Sequence, residues 1–196
     1  MNIHQLSVRH DQAQDHLLVS LNTTAQEELK FWLTRRLMSR LWSRLNTLVI
    51  EQFAIPPDAK TDGFVDLSAL GHTSKKQLMQ EQQETSLNNA DFQTPYKTGA
   101  KHQPFGDAPL LVTKIDMAMG APQQLRLRIC EDLSTGAEPR EFQMELSADL
   151  TFGLMKLLGQ SLTQADWQLH PDTPRSRDDD TTREPFAHAP KTRYLN

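Results

Sequence analysis

The sequence predicts an α+β domain: an antiparallel sheet of about five strands with two long helices packed on it, built from a duplicated strand-strand-helix unit. A polar helical insertion divides the two units, and a disordered C-terminal tail follows the second. Three observations carry this expectation. Short apolar runs alternate with polar residues, leucines recur at four-residue spacing after helix-capping residues, and the last strand and helix can be laid over the first without a gap.

Residues 3 to 21 read as a hairpin. Ile3, Leu6 and Val8 alternate approximately, Leu17 to Leu21 form a second apolar run, and the polar turn His10-Asp11-Gln12-Ala13-Gln14-Asp15-His16 lies between them. A helix is expected to follow, with Thr24 as N-cap and Glu27 completing a capping box. Leu29, Leu33, Leu37, Leu41 and Leu45 would line one side of it, and Pro56-Pro57 would end it. This first unit spans 1–53.

The insertion spans 54–108. A short, mostly exposed helix is expected over Lys75 to Asn89, with Ser74 and Gln77 as a capping box. A loop then runs through Pro95, Gly99 and Pro104 to Gly106. The second unit spans 109–170. It reads as strands at Leu110 to Ile115, Leu125 to Leu133 and Phe142 to Leu146, then a helix capped by Asp149 and carrying Leu150, Leu154, Leu157, Leu158 and Leu162. From 171 to 196 the chain holds four prolines, the acidic run Asp178-Asp179-Asp180 and few apolar residues, the composition of a tail that does not pack.

Matching Leu17 to Phe142 and Trp42 to Trp167 sets one ungapped register. It pairs Leu21 with Leu146, Thr24 with Asp149, Leu29 with Leu154 and Leu33 with Leu158. A hairpin and one helix cannot bury their apolar face alone, but two such units packed together can.

Net charge is -4, so no global field favours nucleic acid or an anionic membrane. No run of about 18 apolar residues offers a membrane span. The single cysteine, Cys130, sits in an apolar strand-like run, as a buried structural thiol would, and the lack of a second fits a reducing, cytoplasmic setting.

Two groups carry candidate chemistry. Arg36, Arg40 and Arg44 recur every four residues with Arg35 beside them, a ridge that would grip phosphate or an acidic partner. Its alternative reading is a solvated helix face whose stems cover apolar surface. The acidic chain and the lack of interleaved aromatics other than Trp favour the latter. In the turn, a hairpin centred on Ala13 would oppose Asp11 to Asp15 and His10 to His16, a possible ligand set for a divalent cation. The alternative there is a hydrophilic turn with no supporting shell, and that reading is favoured.

No phosphate loop, nucleophile elbow or zinc-protease motif is present in the sequence, and no cofactor is expected. The pattern fits a non-catalytic adaptor or assembly subunit of a bacterial-type cytosolic complex, binding a protein partner through the insertion, the tail or the arginine-bearing helix. Nucleic-acid association through that helix is the alternative, and a small metal-dependent enzyme using the His/Asp turn is the third reading.

Overall fold

The computed structural model describes residues 3–53, 71–92, 94–98, 102–120, 123–133, 136 and 138–169. The break expected at Pro56-Pro57 and the tail from Pro171 lie outside them.

The first hairpin forms as its alternation requires. Strand β1 (Ile3–Asp11) pairs antiparallel with β2 (His16–Thr23), placing Leu6 opposite Leu21 and Val8 opposite Val19. The next element corrects the sequence reading. Residues Glu28–Thr34 form a third strand, β3, antiparallel to β2, and not the first turns of a helix. Thr24 is no cap. It lies in a tight turn where Gln26 takes φ 59 and its N–H donates to Thr23 O at 3.0 Å.

The reason is periodic. A spacing of four is common to a helix face and to a strand of period two, so Leu29 and Leu33 fit either. Phe31 breaks the tie. Leu29, Phe31 and Leu33 are buried while Lys30, Trp32 and Thr34 are only half-buried. Helix α1 (Arg35–Phe53) begins directly after β3, where the Thr34 hydroxyl accepts the Leu37 N–H at 3.2 Å.

Helix α2 (His72–Asn89) is longer than expected and starts ahead of Ser74, which lies inside it. Its N-cap is Gly71, with no side-chain capping bond. The strand expected at Leu110 to Ile115 is split: β4 (Leu110–Leu111) runs parallel to β3, and β5 (Lys114–Met119) pairs with β6 (Leu125–Glu131). Strand β7 (Arg140–Leu146) completes the set, and α3 (Ala148–Gln164) follows with Ser147, not Asp149, as N-cap.

Among the described residues seven strands therefore form two sheets, β1-β2-β3-β4 and β5-β6-β7, in place of the expected single sheet of about five. The register of the proposed repeat does not hold. It lays a turn, strand β3 and the start of α1 over helix α3, and the two tryptophans it pairs differ, Trp42 being half-buried inside α1 and Trp167 buried beyond the end of α3.

One core joins these elements. The inner faces of both sheets meet α1 through Met38, Leu41, Leu45 and Val49, and α3 through Phe152, Leu154 and Leu158. Ring contacts tie the parts together, Phe31 to Phe142 across the sheets and Phe53 to Phe152 between the helices, each at 5.8 Å. Buried Glu131 joins the sheets by a polar route. One carboxylate oxygen accepts the Leu111 N–H of β4 at 2.6 Å, and the other accepts Arg140 Nε of β7 at 2.6 Å. Helix α2 packs beside α1 and α3, and Met79 is its one fully buried apolar side chain among the described residues.

Candidate partner-binding site

The arginine face occupies the first half of α1. Arg35, Arg36, Arg40 and Arg44 are all exposed, and no acidic residue stands in the first turn. Cations there oppose the helix dipole, so nothing in the helix itself accounts for Arg35 and Arg36. Among the described residues, no carboxylate forms an ion pair with Arg36, Arg40 or Arg44.

The arginines of the second sheet stand in contrast, each with a carboxylate: Arg126 with Glu145 at 2.6 Å, Arg128 with Glu141 at 2.6 Å, and Arg140 with Glu131. Arg35 is intermediate. Its charge is one of several influences lowering the pKa of Asp15.

The hairpin turn is used differently from the metal reading. The register places Asp11 opposite His16 and His10 opposite Leu17, one step from the expected symmetric pairing, so the two imidazoles fall on opposite faces of the sheet. Asp11 Oδ1 accepts the N–H groups of Ala13 at 3.0 Å and Gln14 at 3.1 Å, closing the turn on itself. Asp15 Oδ1 accepts the indole N–H of Trp167 at 2.7 Å and lies 3.2 Å from His10 Nε2.

These contacts, Trp167 first and His10 second, hold the Asp15 carboxyl below its usual pKa. His16 leans instead on the Trp32 ring, at 6.0 Å between centroids. His10, Asp11, Asp15 and His16 therefore do not converge, and among the described residues no three His, Cys, Asp or Glu side chains gather as metal ligands. The turn is a clasp on the end of α3.

A third feature escaped the sequence reading. Gln5, Asn22 and Glu28 form one row across β1, β2 and β3 on the outward face, and residues 96–97 are fastened over it. The Tyr96 hydroxyl donates toward Asn22 Oδ1 at 2.9 Å and Glu28 Oε1 at 3.3 Å. Asn22 Nδ2 donates to Lys97 O at 2.6 Å, and the Lys97 N–H donates to Gln5 Oε1 at 3.2 Å. Glu28 is 3% exposed and pairs with Lys30 Nζ at 3.0 Å. Burial, and then the Glu28 charge, push the Tyr96 phenol well above its usual pKa, so it stays a neutral donor.

Fastening this segment leaves a groove of about 620 Å³ between it, residues 4–7 of β1 and the N-terminal half of α3. Its parts are distant in the sequence, so only an acid followed by alternating residues at the start of β3 hinted at it.

No family model, curated protein or solved structure matches the chain. The geometry alone carries the functional reading. Guanidinium groups without internal partners are free to take carboxylate or phosphate oxygens two at a time. The Cys130 thiol is buried in β6, and burial together with the neighbouring Glu141 carboxylate pushes its pKa up, opposite to the activation a nucleophile needs.

Proposed function

We propose that the chain is a non-catalytic adaptor or assembly subunit of a cytoplasmic complex, docking an acidic protein partner on the arginine face of α1. The observation supporting this reading is the contrast in charge pairing. The arginines of the second sheet have carboxylate partners, whereas Arg36, Arg40 and Arg44 stand in water with none among the described residues. The polar helix α2, packed beside α1, extends the surface available to such a partner.

The recurrence of three strands and a helix, β1-β2-β3-α1 and β5-β6-β7-α3, further supports reading the scaffold as two copies of one unit, in a register different from the leucine match.

The test replaces Arg36, Arg40 and Arg44 together with Gln and compares proteins co-purifying from the native cell with the parent and the variant chain. Binding of labelled DNA and RNA is measured in parallel at low and high salt. The reading expects an acidic protein captured by the parent and lost by the variant, with each substitution changing stability by no more than about 0.5 kcal/mol. Salt-sensitive nucleic-acid binding lost in the variant would replace the protein partner with a nucleic acid. Capture that survives the triple substitution removes the ridge from the interface.

A further inference from the structure

We infer that the groove along β1 is a second binding site, for an extended peptide segment of a partner protein that adds a strand to the first sheet. The site shares no residue with the arginine face. Strand β1 is terminal in its sheet, pairing with β2 alone among the described elements. Its residues 4–7 form one wall of the groove, Leu150, Gly153, Leu154 and Leu157 of α3 form the second, and Phe92 and Tyr96 belong to the third. At about 620 Å³ the groove lies within the usual range of ligand sites.

Backbone geometry names the occupant. The Trp32 carbonyl turns toward β4, accepting the Val112 N–H at 3.1 Å. The registers therefore turn the main chain of Val19 toward β3 and that of Val8 away from β2, where the Val8 carbonyl accepts the Ser161 hydroxyl of α3 at 3.4 Å. Main-chain direction alternates along a strand, so the N–H and C=O of Leu6 point the same way, into the groove. Among the described residues they have no partner. A buried apolar ligand would leave both unsatisfied, whereas an antiparallel peptide strand supplies an acceptor and a donor at the required spacing. The irregularity between Ile3 and Gln5 marks one end of the pairing edge, and the bond from Ser161 to Val8 marks the other.

The side-chain preference follows from the walls. Alternate residues of the added strand would face Leu150, Leu154 and Leu157, so those positions take apolar side chains. Phe92, at 39% one of two large exposed hydrophobic residues among those described, stands at the rim with Lys156 Nζ 4.0 Å from its ring centre.

The glycines of α3 support an open groove. Gly159 faces the Trp42 ring, 3.7 Å from where a Cβ would stand, so close packing accounts for it. Gly153 has nothing within 4 Å of that position, yet glycine inside a helix is unfavourable. No neighbour requires it there, and its missing side chain leaves the groove clear.

The experiment uses the full chain and a panel of blocked, labelled peptides about six residues long. They alternate Thr with Val, Leu or Phe, and each is also prepared with successive amides N-methylated. Amide hydrogen exchange is followed in the free and peptide-bound chain. The proposal expects saturable binding by at least one apolar pattern, with N-methylation weakening binding about tenfold or more at the one position whose amide meets the Leu6 carbonyl and tolerated at the others. It expects a Leu6 amide that exchanges freely until peptide is added, and loss of binding in Gly153→Leu without a fall in melting temperature. A Leu6 amide already protected in the free chain overturns it. So does the absence of binding by any panel member up to about 1 mM, or binding indifferent to both N-methylation and Gly153→Leu.

Discussion

On the first sheet, the outward row of Gln5, Asn22 and Glu28 lies beneath Tyr96 and Lys97. On the second, the outward rows hold Arg126 with Glu145 and Arg128 with Glu141, each side chain about half in water. Both faces contain charge pairs of similar length, yet they differ in what each pair means for the fold. An exposed pair exchanges one good environment for another and contributes little. A buried carboxylate has given up its water, so every remaining partner matters. Polar residues on the first sheet thus position a groove, while those on the second mainly keep a sheet surface wet.

Replacing Glu28 with Ala tests this most severely. Lys30 and the Tyr96 hydroxyl would lose their shared carboxylate, and the loss expected is about 3 kcal/mol, the lower end for breaking a buried pair because Lys30 keeps some contact with water. Denaturant unfolding measures it. A cost under about 1 kcal/mol would place Glu28 with the exposed pairs and dissolve the contrast.

Tyr96→Phe comes next, at about 1 kcal/mol for one net hydrogen bond. The phenol pKa is raised in the folded chain, so its contribution is complete below its usual value near 10 and is lost as pH rises above that. The difference in melting temperature between parent and variant should therefore hold up to about pH 10 and shrink beyond it. A difference that stays constant through that range would show that the hydroxyl is not held in its neutral form.

The two faces were unequally legible in the sequence. The second sheet alternates cleanly, Leu125, Leu127 and Ile129 inward and Arg126 and Arg128 outward, so its outward face could be read from local order. The arginine face was visible for the same reason, since its spacing lies within one helix. The first sheet was half hidden, because Leu29 and Leu33 satisfy two periods at once, and the burial of Phe31 between them and the pairing with β2 decide for the strand. The groove was invisible. The bond from Tyr96 to Glu28 spans 68 residues and the one from Ser161 to Val8 spans 153, and no local pattern announces partners so far apart.

The exposed pair Arg126 and Glu145 should couple by less than about 1 kcal/mol in a double-mutant cycle, each side chain being half in water. A larger coupling would mean that something covers this face in solution, making it an interface in its own right.

The smallest effect sharpens the comparison, because the hairpin tip belongs to the first sheet while its carboxylate is exposed like those of the second. Asp15 has 57% of its side chain in water, yet it accepts the indole N–H of Trp167, which is itself 1% exposed. That bond and the one from His10 lower the folded pKa of Asp15. A depressed carboxyl pKa stabilises the fold above the unfolded value near 3.8 and ceases to do so as pH falls through the folded value. Asp15→Asn keeps an acceptor for Trp167 but removes the charge. Melting curves of parent and variant, compared from about pH 6 downward, should differ slightly at the start and converge below about pH 4. A gap that ignores pH would show that the acceptor alone holds the turn to α3 and that the charge contributes nothing. A gap as large as that of Glu28→Ala would show that proximity to the first sheet, and not burial, sets the worth of a carboxylate in this protein.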